Sequence, residues 1–445
     1  MSNDPNRRDQ TNREGRSAYR RLALLLAAAT VIVFGVFAQN LLVVAIGLLL
    51  AVAAFYLLPE ATPIPIIPGY AFLAGGAVLL AGFATLLTYR EINNPFIPLL
   101  WVGSMVVGLV AVIRLDRTLP QTAEGSRRSG GTLRSRAWLI LIILVAFALR
   151  IHLLETYPPF HGDEGEMGMA ALRVLAGEGP PPVATGWFDH PALFHYLQAL
   201  PLALFGQTGL ALRLPSVFAG LLCVPLIYVI GRRWWGPLAG LSAASLLAVA
   251  HLHVHFSRLG LNNIESTLFL LLFLFLMLRA RPQRVTVYFL AGLAAGLAQY
   301  MYYGSRIILF VAAFFLLLVW RRRLAGKRQL AIFAIGVALA ILPLLAFYIN
   351  RPDPLISRTR GVFVLSGDNV KHVLHSDEAS LPEDLLPMFA QQIRSNLSFF
   401  IADGDRSPFY TAEVPGLDMV TSVLFWLGLG LALTRLPRLQ ESTVL

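Results

Sequence analysis

Apolar residues come in long blocks along this chain, and polar residues are confined to the stretches between them. Each block approaches the roughly 20 residues that a helix needs to cross a bilayer. The pattern predicts an all-α membrane protein whose interior is mostly helix packed on helix. We predict twelve helical spans, at residues 22–38, 41–58, 70–88, 97–113, 137–153, 213–230, 237–253, 265–280, 285–301, 306–320, 330–349 and 419–434.

The apolar segment at residues 191–205 is left out of the spans because of the distribution of charge. If this segment does not cross and the N-terminus is cytoplasmic, most Lys and Arg fall inside and most Asp and Glu fall outside. That is the positive-inside distribution, and a crossing at 191–205 would destroy it. We therefore predict an amphipathic or re-entrant helix at the outer interface, with His195, Tyr196 and Gln198 as its polar points.

Composition agrees with this class and excludes nucleic acid as a partner. The 445 residues are 56% hydrophobic and 14% charged, and the mean hydropathy is +0.66. The net charge of +11 arises from short basic bursts between apolar runs. Cys223 is the single cysteine, so no intramolecular disulfide can form. The basic N-terminus precedes an apolar segment without a small-residue cleavage site, which predicts an uncleaved signal anchor.

The span map divides the chain into five parts. Residues 1–113 form an N-terminal four-span region without candidate chemistry, for which packing or partner contact is the expected role. Residues 114–136 form a basic, flexible cytoplasmic linker. Residues 137–349 form a seven-span module with a long outer loop at 154–212. Residues 350–418 form a second outer segment, expected to act as a lid or acceptor-facing loop, and residues 419–445 form the final span and tail.

An acidic stretch at residues 157–166 stands out, because it places carboxylates just beyond a span. Asp163 and Glu164 follow a glycine that lets the backbone turn as it leaves the membrane. Carboxylates at this boundary meet both lipid-borne molecules and water, so a chemical role is worth testing. The pair could act as a general base, bind a metal, or cap a helix at residues 166–176.

Further motifs follow in order: Trp-Phe-Asp-His-Pro at 187–191, Arg-Leu-Pro-Ser at 213–216 with Gly220, Gly-Arg-Arg-Trp-Trp-Gly at 231–236, and Phe-Ser-Arg at 256–258. With the Asp-Glu pair before them, this order resembles the polytopic glycosyltransferases of the GT-C superfamily. The families it is similar to are the dolichyl-phosphate-mannose protein mannosyltransferases (glycosyltransferase family 39) and the lipid A aminoarabinose transferases. The likeness runs over residues 150–320, with a weaker likeness around 404–417.

The resemblance implies a GT-C-type helical bundle that transfers a sugar from a polyprenyl-phosphate carrier to an acceptor at the outer membrane face. The aspartate of the Asp-Glu pair is the catalytic base in that family, which here is Asp163. The chemistry fits, since an acceptor hydroxyl must lose its proton as it attacks the anomeric carbon. A single in-line displacement would invert that carbon. Glu164 would orient the base or help to bind donor or acceptor.

The departing lipid phosphate needs positive charge or hydrogen-bond donors. Candidates are the arginines at the outer ends of spans, Arg150, Arg213, Arg258 and Arg306. Arg306 follows an aromatic, glycine-containing run that includes Tyr303 and could cradle a sugar or phosphate. His190 stands where the aminoarabinose transferases often have lysine. Glu265 lies near the position where relatives commonly carry a second acid, which here is Asn263.

Two alternatives stay open. A transporter or flippase for a lipid-linked sugar could use the acidic pair for ion coupling, although transporters usually place such acids near the bilayer midplane. A divalent metal could be held by His251 and His255, which share a helix face, together with Asp163 or Glu164. His253, between them, lies on another face. No cofactor is otherwise expected.

The expected partners are a polyprenyl-phosphate-linked sugar, a protein, lipid or glycan acceptor, and the bilayer. The strong preference for arginine over lysine points to a GC-rich bacterial source. We expect a multi-pass protein of the plasma membrane, with a cytoplasmic N-terminus and the site on the extracytoplasmic side.

Overall fold

The computed structural model describes residue 46, the ranges 69–92, 94–119, 133–321, 325–356, 384–404 and 414–435, and residues 371, 373, 374, 409 and 410. The predicted spans 22–38 and 41–58 lie outside these residues, apart from residue 46. Within the described part the chain is helical and contains no β-strand, only two isolated bridges. The predicted all-α class is confirmed, whereas the number of twelve spans stays a prediction.

Every predicted span in the described part corresponds to a helix. The first three helices are α1 (Gly69–Tyr89), α2 (Ile97–Thr118) and α3 (Leu133–Ile151). The ends of the predicted linker, at 114–118 and 133–136, are therefore helical. The long outer loop holds α4 (Gly162–Leu175), a 3₁₀ turn (Trp187–Asp189) and α5 (Leu193–Phe205).

The remaining helices follow in chain order: α6 (Gly209–Trp235), α7 (Pro237–Val249), α8 (His251–Phe256), α9 (Ile264–Met277), α10 (Val285–Leu297), α11 (Ile307–Arg321), α12 (Lys327–Asn350), α13 (Leu385–Ser398) and α14 (Met419–Arg435). In the described part, α1, α2, α6, α12 and the stretch Tyr303–Arg321 are long and apolar enough to cross a membrane. Shorter apolar helices include α5, α7 and α9. The protein is a multi-pass membrane protein.

Helix ends follow from local sequence. Gly236 ends α6 with φ 93°, a left-handed conformation that glycine adopts without steric cost. Pro237 then opens α7, where its missing N–H is not needed. The predicted span 237–253 is interrupted at Ala250 (φ −57°, ψ 114°). The carbonyl of Ala248 accepts from Arg150 beside this break.

Close helix packing joins the N-terminal helices to the rest. The carbonyl of Ala340 in α12 accepts hydrogen bonds from the Trp101 indole and from the Tyr300 hydroxyl, both at 2.9 Å. A Cβ at Gly292 of α10 or at Gly336 of α12 would overlap a backbone oxygen of the other helix. Small residues let helix backbones approach in membranes, so α10 and α12 can touch along this line.

Contacts at the two ends of the helix bundle support the predicted alternation of inside and outside connections. At one end, the Asp116 carboxylate accepts from the backbone N–H groups of Val285 and Thr286. At the other end, Glu91 pairs with Arg351 at 3.1 Å. The first contact joins the end of α2 to the start of α10, the second joins residues just beyond α1 and α12, and the span map places the members of each pair on one side. We call the end that contains Glu91 the Asp163 end, because the long outer loop lies there by the same map.

The long outer loop leaves and rejoins the bundle at one point. The Glu155 carboxylate, just after α3, accepts from the backbone N–H groups of Gly209 and Leu210 at 3.1 and 2.7 Å. Both ends of the intervening segment therefore meet. This agrees with the prediction that residues 191–205 add no net crossing, while the placement of α5 at the interface stays a prediction.

Candidate active site

The Asp-Glu pair lies in the first turn of α4. His161 is the N-cap residue: its Nδ1 accepts from Asp163 N–H at 3.1 Å, and its own N–H donates to Glu164 Oε2 at 3.1 Å. This is a capping box with histidine in the cap position. The helix thus begins at Gly162, not at residue 166 as expected. Capping is done by His161 and Glu164 rather than by Asp163.

Glu164 is fully buried and paired with Arg213. Arg213 Nε donates to Oε1 and Nη2 donates to Oε2, both at 2.8 Å, and neither side chain is exposed. Such a bidentate, charge-assisted pair fixes geometry as well as charge. The remaining donors of Arg213 reach the carbonyl oxygens of Leu154 and Pro158 at 2.8 and 3.0 Å. Arg213 therefore holds the start of the outer loop.

A third element closes around the same carboxylate. Gly260 N–H donates to Glu164 Oε1 at 2.6 Å, and Gly260 carbonyl accepts from Gln198 Nε2 at 2.8 Å. Gln198 and His195 are both fully buried, which corrects the expectation that they are polar points at the interface. Burial lowers the pKa of His195 to about 4, with Gln198 partly offsetting the shift. Tyr196 donates to the Pro180 carbonyl.

Asp163 has the opposite environment from its neighbour. Its side chain is 39% exposed, and its Oδ1 lies 3.9 Å from His161 Nδ1. That nitrogen already accepts the Asp163 N–H, so it offers no proton to the carboxylate in this arrangement. Of the two acids, Asp163 is the one that an incoming molecule can reach.

A strap from the second outer segment packs on this site. The Phe409 ring lies 4.6 Å from the His161 ring. The Phe409 carbonyl is 2.6 Å from His255 Nε2, and the Tyr410 hydroxyl is 2.5 Å from His251 Nδ1. Phe409 and Tyr410, which we call the strap, therefore join α8 to the cap of α4. Both residues belong to the 350–418 segment that was expected to act as a lid or acceptor-facing loop, although neither side chain was singled out from the sequence.

An aromatic cluster lies beside the site on the turn at Trp187–Asp189. His190 is stacked with Trp187 and Tyr302 at 5.9 and 6.2 Å, and lies 5.3 Å from Tyr303. The Arg306 guanidinium lies 4.8 Å from the Tyr303 ring centroid, a cation–π distance. The structure thus brings together three of the predicted donor-binding residues: His190, Tyr303 and Arg306.

The backbone of this turn is strained. Phe188 and Asp189 have φ of 50° and 61°, a left-handed conformation that costs non-glycine residues roughly 1–2 kcal/mol each. Hydrogen bonds hold it: Gly186 N–H to the His190 carbonyl at 2.7 Å, and Ala192 N–H to the Ala184 carbonyl at 2.9 Å. The Tyr303 hydroxyl adds a bond to the Asp189 carbonyl at 2.5 Å. The turn is therefore fixed in shape around the ring cluster.

Arg150, Arg213 and Arg258 do not face the aromatic cluster. Arg258 donates to the carbonyls of Leu149, His152 and Tyr157 at 2.6 to 2.8 Å, closing the end of α3. Arg150 is fully buried and bonds to carbonyls and to His253. The guanidinium groups of Arg213 and Arg258 are thus engaged by backbone carbonyls, and that of Arg213 also by Glu164, while their phosphate role stays a prediction. Arg306 is only partly buried.

Glu265 is buried at the start of α9, with 3% of its surface exposed. Its Oε1 is 3.5 Å from Ser216 Oγ, and Ser216 also donates to the Leu261 carbonyl at 2.9 Å. Its Oε2 has no hydrogen-bond partner among the described residues. Glu265 is therefore buried where the start of α9 meets α6, and its donor-binding role stays a prediction.

His251 and His255, the candidate metal ligands, do not form a metal site with the acidic pair in this structure. Among the described residues, no group of three or more His, Cys, Asp or Glu side chains is arranged to hold a metal ion. His251 and His255 instead contact the strap, as described above. Their spacing, which suggested a metal site, is used for a contact between protein segments.

A separate cavity of about 370 Å³ lies at the Asp163 end, between the N-terminal helices and α12. Neither Asp163 nor Glu164 lines it. Its walls are formed by Thr88, Glu91, Ile92, Ile97, Gly179, Pro180, Pro181, Val183, Ala184, Thr185, Asp189, Phe347, Asn350, Arg351 and Pro354. Asp189 connects this cavity to the strained turn.

Comparison with known proteins agrees with the resemblance seen in the motifs. The family model for dolichyl-phosphate-mannose-protein mannosyltransferase matches residues 189–347. An undecaprenyl phosphate-alpha-4-amino-4-deoxy-L-arabinose arabinosyl transferase 2 of Pseudomonas fluorescens is 27% identical over 263 residues, which cover 54% of this chain and 45% of that protein. The chain thus spans less than half the length of this curated relative.

No solved structure matches the chain. The matched family region includes His190, Arg213, Arg258, Glu265, Tyr303 and Arg306, and it begins after Asp163 and Glu164. The chain therefore resembles GT-C glycosyltransferases through its central helices and the aromatic cluster. The acidic pair lies outside the matched family region, so the case for Asp163 and Glu164 rests on their geometry: a buried, paired Glu164 beside an exposed Asp163.

Proposed function

We propose that this protein is a membrane glycosyltransferase that moves a sugar from a polyprenyl-phosphate donor to an acceptor hydroxyl at the outer membrane face. The similarity to a mannosyltransferase family and to an undecaprenyl-phosphate-dependent arabinosyl transferase supports the donor class. The location follows from the span map, which puts the Asp163 end outside. The bacterial plasma membrane is the expected setting.

The observation that carries this proposal is the contrast within the acidic pair. Four hydrogen bonds hold the Glu164 carboxylate in a buried site, while Asp163 next to it remains 39% exposed. A carboxylate that is fixed on a rigid helix start and open to an incoming molecule suits a general base. Glu164 then acts as a positioning residue for the turn that carries Asp163.

In the proposed reaction, the acceptor oxygen attacks the anomeric carbon as Asp163 takes the hydroxyl proton. The bond from that carbon to the phosphate oxygen breaks at the same time, so the polyprenyl phosphate leaves with the electron pair. One displacement inverts the anomeric carbon. A leaving phosphate is already anionic and needs no proton, so one carboxylate is sufficient.

The donor is proposed to bind at the aromatic cluster. Arg306 and His190 would contact the phosphate, and the rings of Tyr303 and Trp187 offer flat apolar faces for a sugar. Electrostatic stabilisation of a leaving phosphate is worth several kcal/mol when donors are fixed in advance. The strained turn at Phe188 and Asp189 supplies such a fixed scaffold.

The test is sugar transfer in proteoliposomes supplied with radiolabelled polyprenyl-phosphate sugars and membrane, lipid or protein acceptors. We expect Asp163→Asn to lower kcat about 10²–10⁴-fold, the usual contribution of general acid–base catalysis, while donor binding is retained. Glu166→Gln is the matched control, because this acid lies one turn on and is exposed. Its activity should equal that of the wild type.

Two outcomes would contradict the proposal. Equal transfer by the wild type and by a folded Asp163→Asn variant would remove Asp163 from catalysis. Movement of lipid-linked sugar across the bilayer without transfer would favour the transporter or flippase alternative.

A further inference from the structure

Helix α13 carries an apolar stripe that faces away from the rest of the protein. Leu386, Phe389, Ile393 and Leu397 recur at helical spacing along one side. Leu386 is 78% exposed and Ile393 is 59% exposed. Met388, which points in roughly the opposite direction, is fully buried. The helix therefore packs on the protein by its Met388 side and presents its apolar side outward.

A stripe of this kind needs a partner, because soluble surfaces rarely expose contiguous large apolar side chains. The position of α13 beside α14 is the argument that this partner is lipid. Its C-terminal end is tied to α14, which is an apolar helix with many exposed aliphatic side chains. The Phe400 ring stacks on Phe425 at 5.3 Å, and Ser422 Oγ donates to the Phe400 carbonyl at 2.6 Å.

These contacts fix the position of α13 along the axis of α14. Ser422 and Phe425 lie three and six residues into α14, which corresponds to about 4.5 and 9 Å along the helix axis. Phe400 is therefore level with the first third of α14, a shorter apolar helix that the span map takes as the final membrane span. Gly416 allows this approach, because a Cβ there would overlap the Phe399 ring. If α14 crosses the membrane as the span map predicts, the end of α13 lies at the boundary between lipid and water.

We propose that α13 lies on the membrane surface at the Asp163 end, with Leu386, Phe389, Ile393 and Leu397 in the outer part of the acyl chains. Helices with one apolar and one polar side bind in this way, parallel to the membrane plane. The opposite side, which packs on the protein through Met388, is polar and carries the half-buried Gln391 and Gln392 and the exposed Ser395. The same segment continues to the strap, so membrane contact holds the strap near the cap of α4.

The proposal is tested by depth measurement with nitroxide spin labels in reconstituted full-length protein. Cys223→Ser removes the single cysteine, and serine can keep the hydrogen bond to the Ala219 carbonyl that the thiol makes. Ile393→Cys then places a label on the apolar stripe. Ser395→Cys is the matched control, exposed but on the other side of the same helix. Leu386→Cys repeats the test near the N-terminal end of the same stripe.

In vesicles of phosphatidylethanolamine and phosphatidylglycerol, labels at 393 and 386 should collide several-fold more often with oxygen, which concentrates in acyl chains, than with a water-soluble nickel chelate. The label at 395 should show the reverse preference. The membrane contact is measured without any activity assay, so its failure is distinct from failure of the proposed function.

Two results would overturn the proposal. Equal nickel accessibility at 393 and 395 would mean that the stripe faces water. Protection of 393 from both reagents would mean that protein covers the stripe, and dipolar broadening between labels would then identify the cover as a second copy of this chain.

Discussion

Two adjacent carboxylates in this protein have been given different environments by the residues around them. Glu164 meets a guanidinium and two backbone N–H groups in a buried site. Asp163 points outward beside His161. The difference arises because successive side chains on a helix point about 100° apart, so only one of the two can face the interior.

The Glu164–Arg213 pair is expected to be necessary for the fold of the outer loop. Arg213→Met leaves a buried carboxylate without its partner, and breaking a buried pair in this way typically costs about 3–5 kcal/mol. We expect a large fall in the thermal unfolding midpoint of the purified protein. The double variant Glu164→Gln with Arg213→Met should recover part of it.

The exposed pair Glu91–Arg351 provides the control for this experiment. Arg351→Met should change the midpoint little, because both partners are more than half exposed and surface pairs contribute little. Equal effects of the two arginine substitutions would contradict the assigned role of Arg213.

His195 predicts a pH dependence of stability. Burial lowers its pKa to about 4 from 6.5, so between these values the unfolded state binds more protons and stability rises with pH. Acidification from pH 7.5 to pH 5 should therefore destabilise the protein, at most by about 1.4 kcal/mol per pH unit below 6.5. His195→Gln should flatten this part of the profile of unfolding midpoint against pH. An unchanged slope would contradict the assignment.

At the scale of the elements, α6 comes very close to the C-cap residue of α8 at one pair of residues, Gly220 and Ser257. An added Cβ at Gly220 would lie 2.7 Å from Ser257 Cβ and 3.4 Å from Arg150 Nε. Ser257 itself is tied to the His253 carbonyl at 2.5 Å, so it cannot easily move away. This contact positions the turn at Arg258 that closes α3, and through it the start of the outer loop.

Gly220→Ala is therefore expected to destabilise the protein by about 1–3 kcal/mol through overpacking, and Ser257→Gly in the same chain should relieve part of that cost. Gly82→Ala in α1 is the control, because nothing lies within 4 Å of the added Cβ. Thermal midpoints of the three variants would be compared. Equal effects at positions 82 and 220, or no relief by Ser257→Gly, would contradict the contact.

At the scale of the whole molecule, the order of the loops decides which groups can meet. The contacts of Glu155 with Gly209 and Leu210 join the two ends of the outer loop. The contact of Phe409 with His161 joins the two outer segments. A site that contains Asp163, the aromatic cluster and the strap requires all these segments on one side of the membrane.

This arrangement predicts the labelling pattern of single cysteines in the Cys223→Ser background. Gln207→Cys, in the exposed turn after α5, should react with a membrane-impermeant maleimide added to intact cells. Gln283→Cys, in the turn before α10, should react only after permeabilisation. Labelling of Gln207→Cys only from the inside would mean that α5 crosses the membrane.

The sequence by itself determined the class of the protein and the approximate positions of its helices. In lipid a backbone must satisfy its own polar groups, and a helix is the simple way for a long apolar run to do so. All the predicted spans that fall in the described residues are helical. Sequence also singled out Asp163, Glu164, His190, Tyr303 and Arg306. These residues were chosen by their type and by the order of their motifs along the chain, and both can be read without knowing how the helices pack.

Tertiary structure alone decided what those side chains do. Three contacts join residues that are distant in sequence: Arg213 with Glu164, Arg258 with the end of α3, and His251 with Tyr410. No local sequence pattern encodes such contacts. For the same reason, only the structure shows that Arg150, Arg213 and Arg258 donate to backbone carbonyls and that His251 and His255 contact the strap. Buried polar groups must be hydrogen-bonded, and in this fold Arg150, Arg213 and Arg258 meet that need. Which charged side chains stay accessible therefore depends on the packing and not on the residue type.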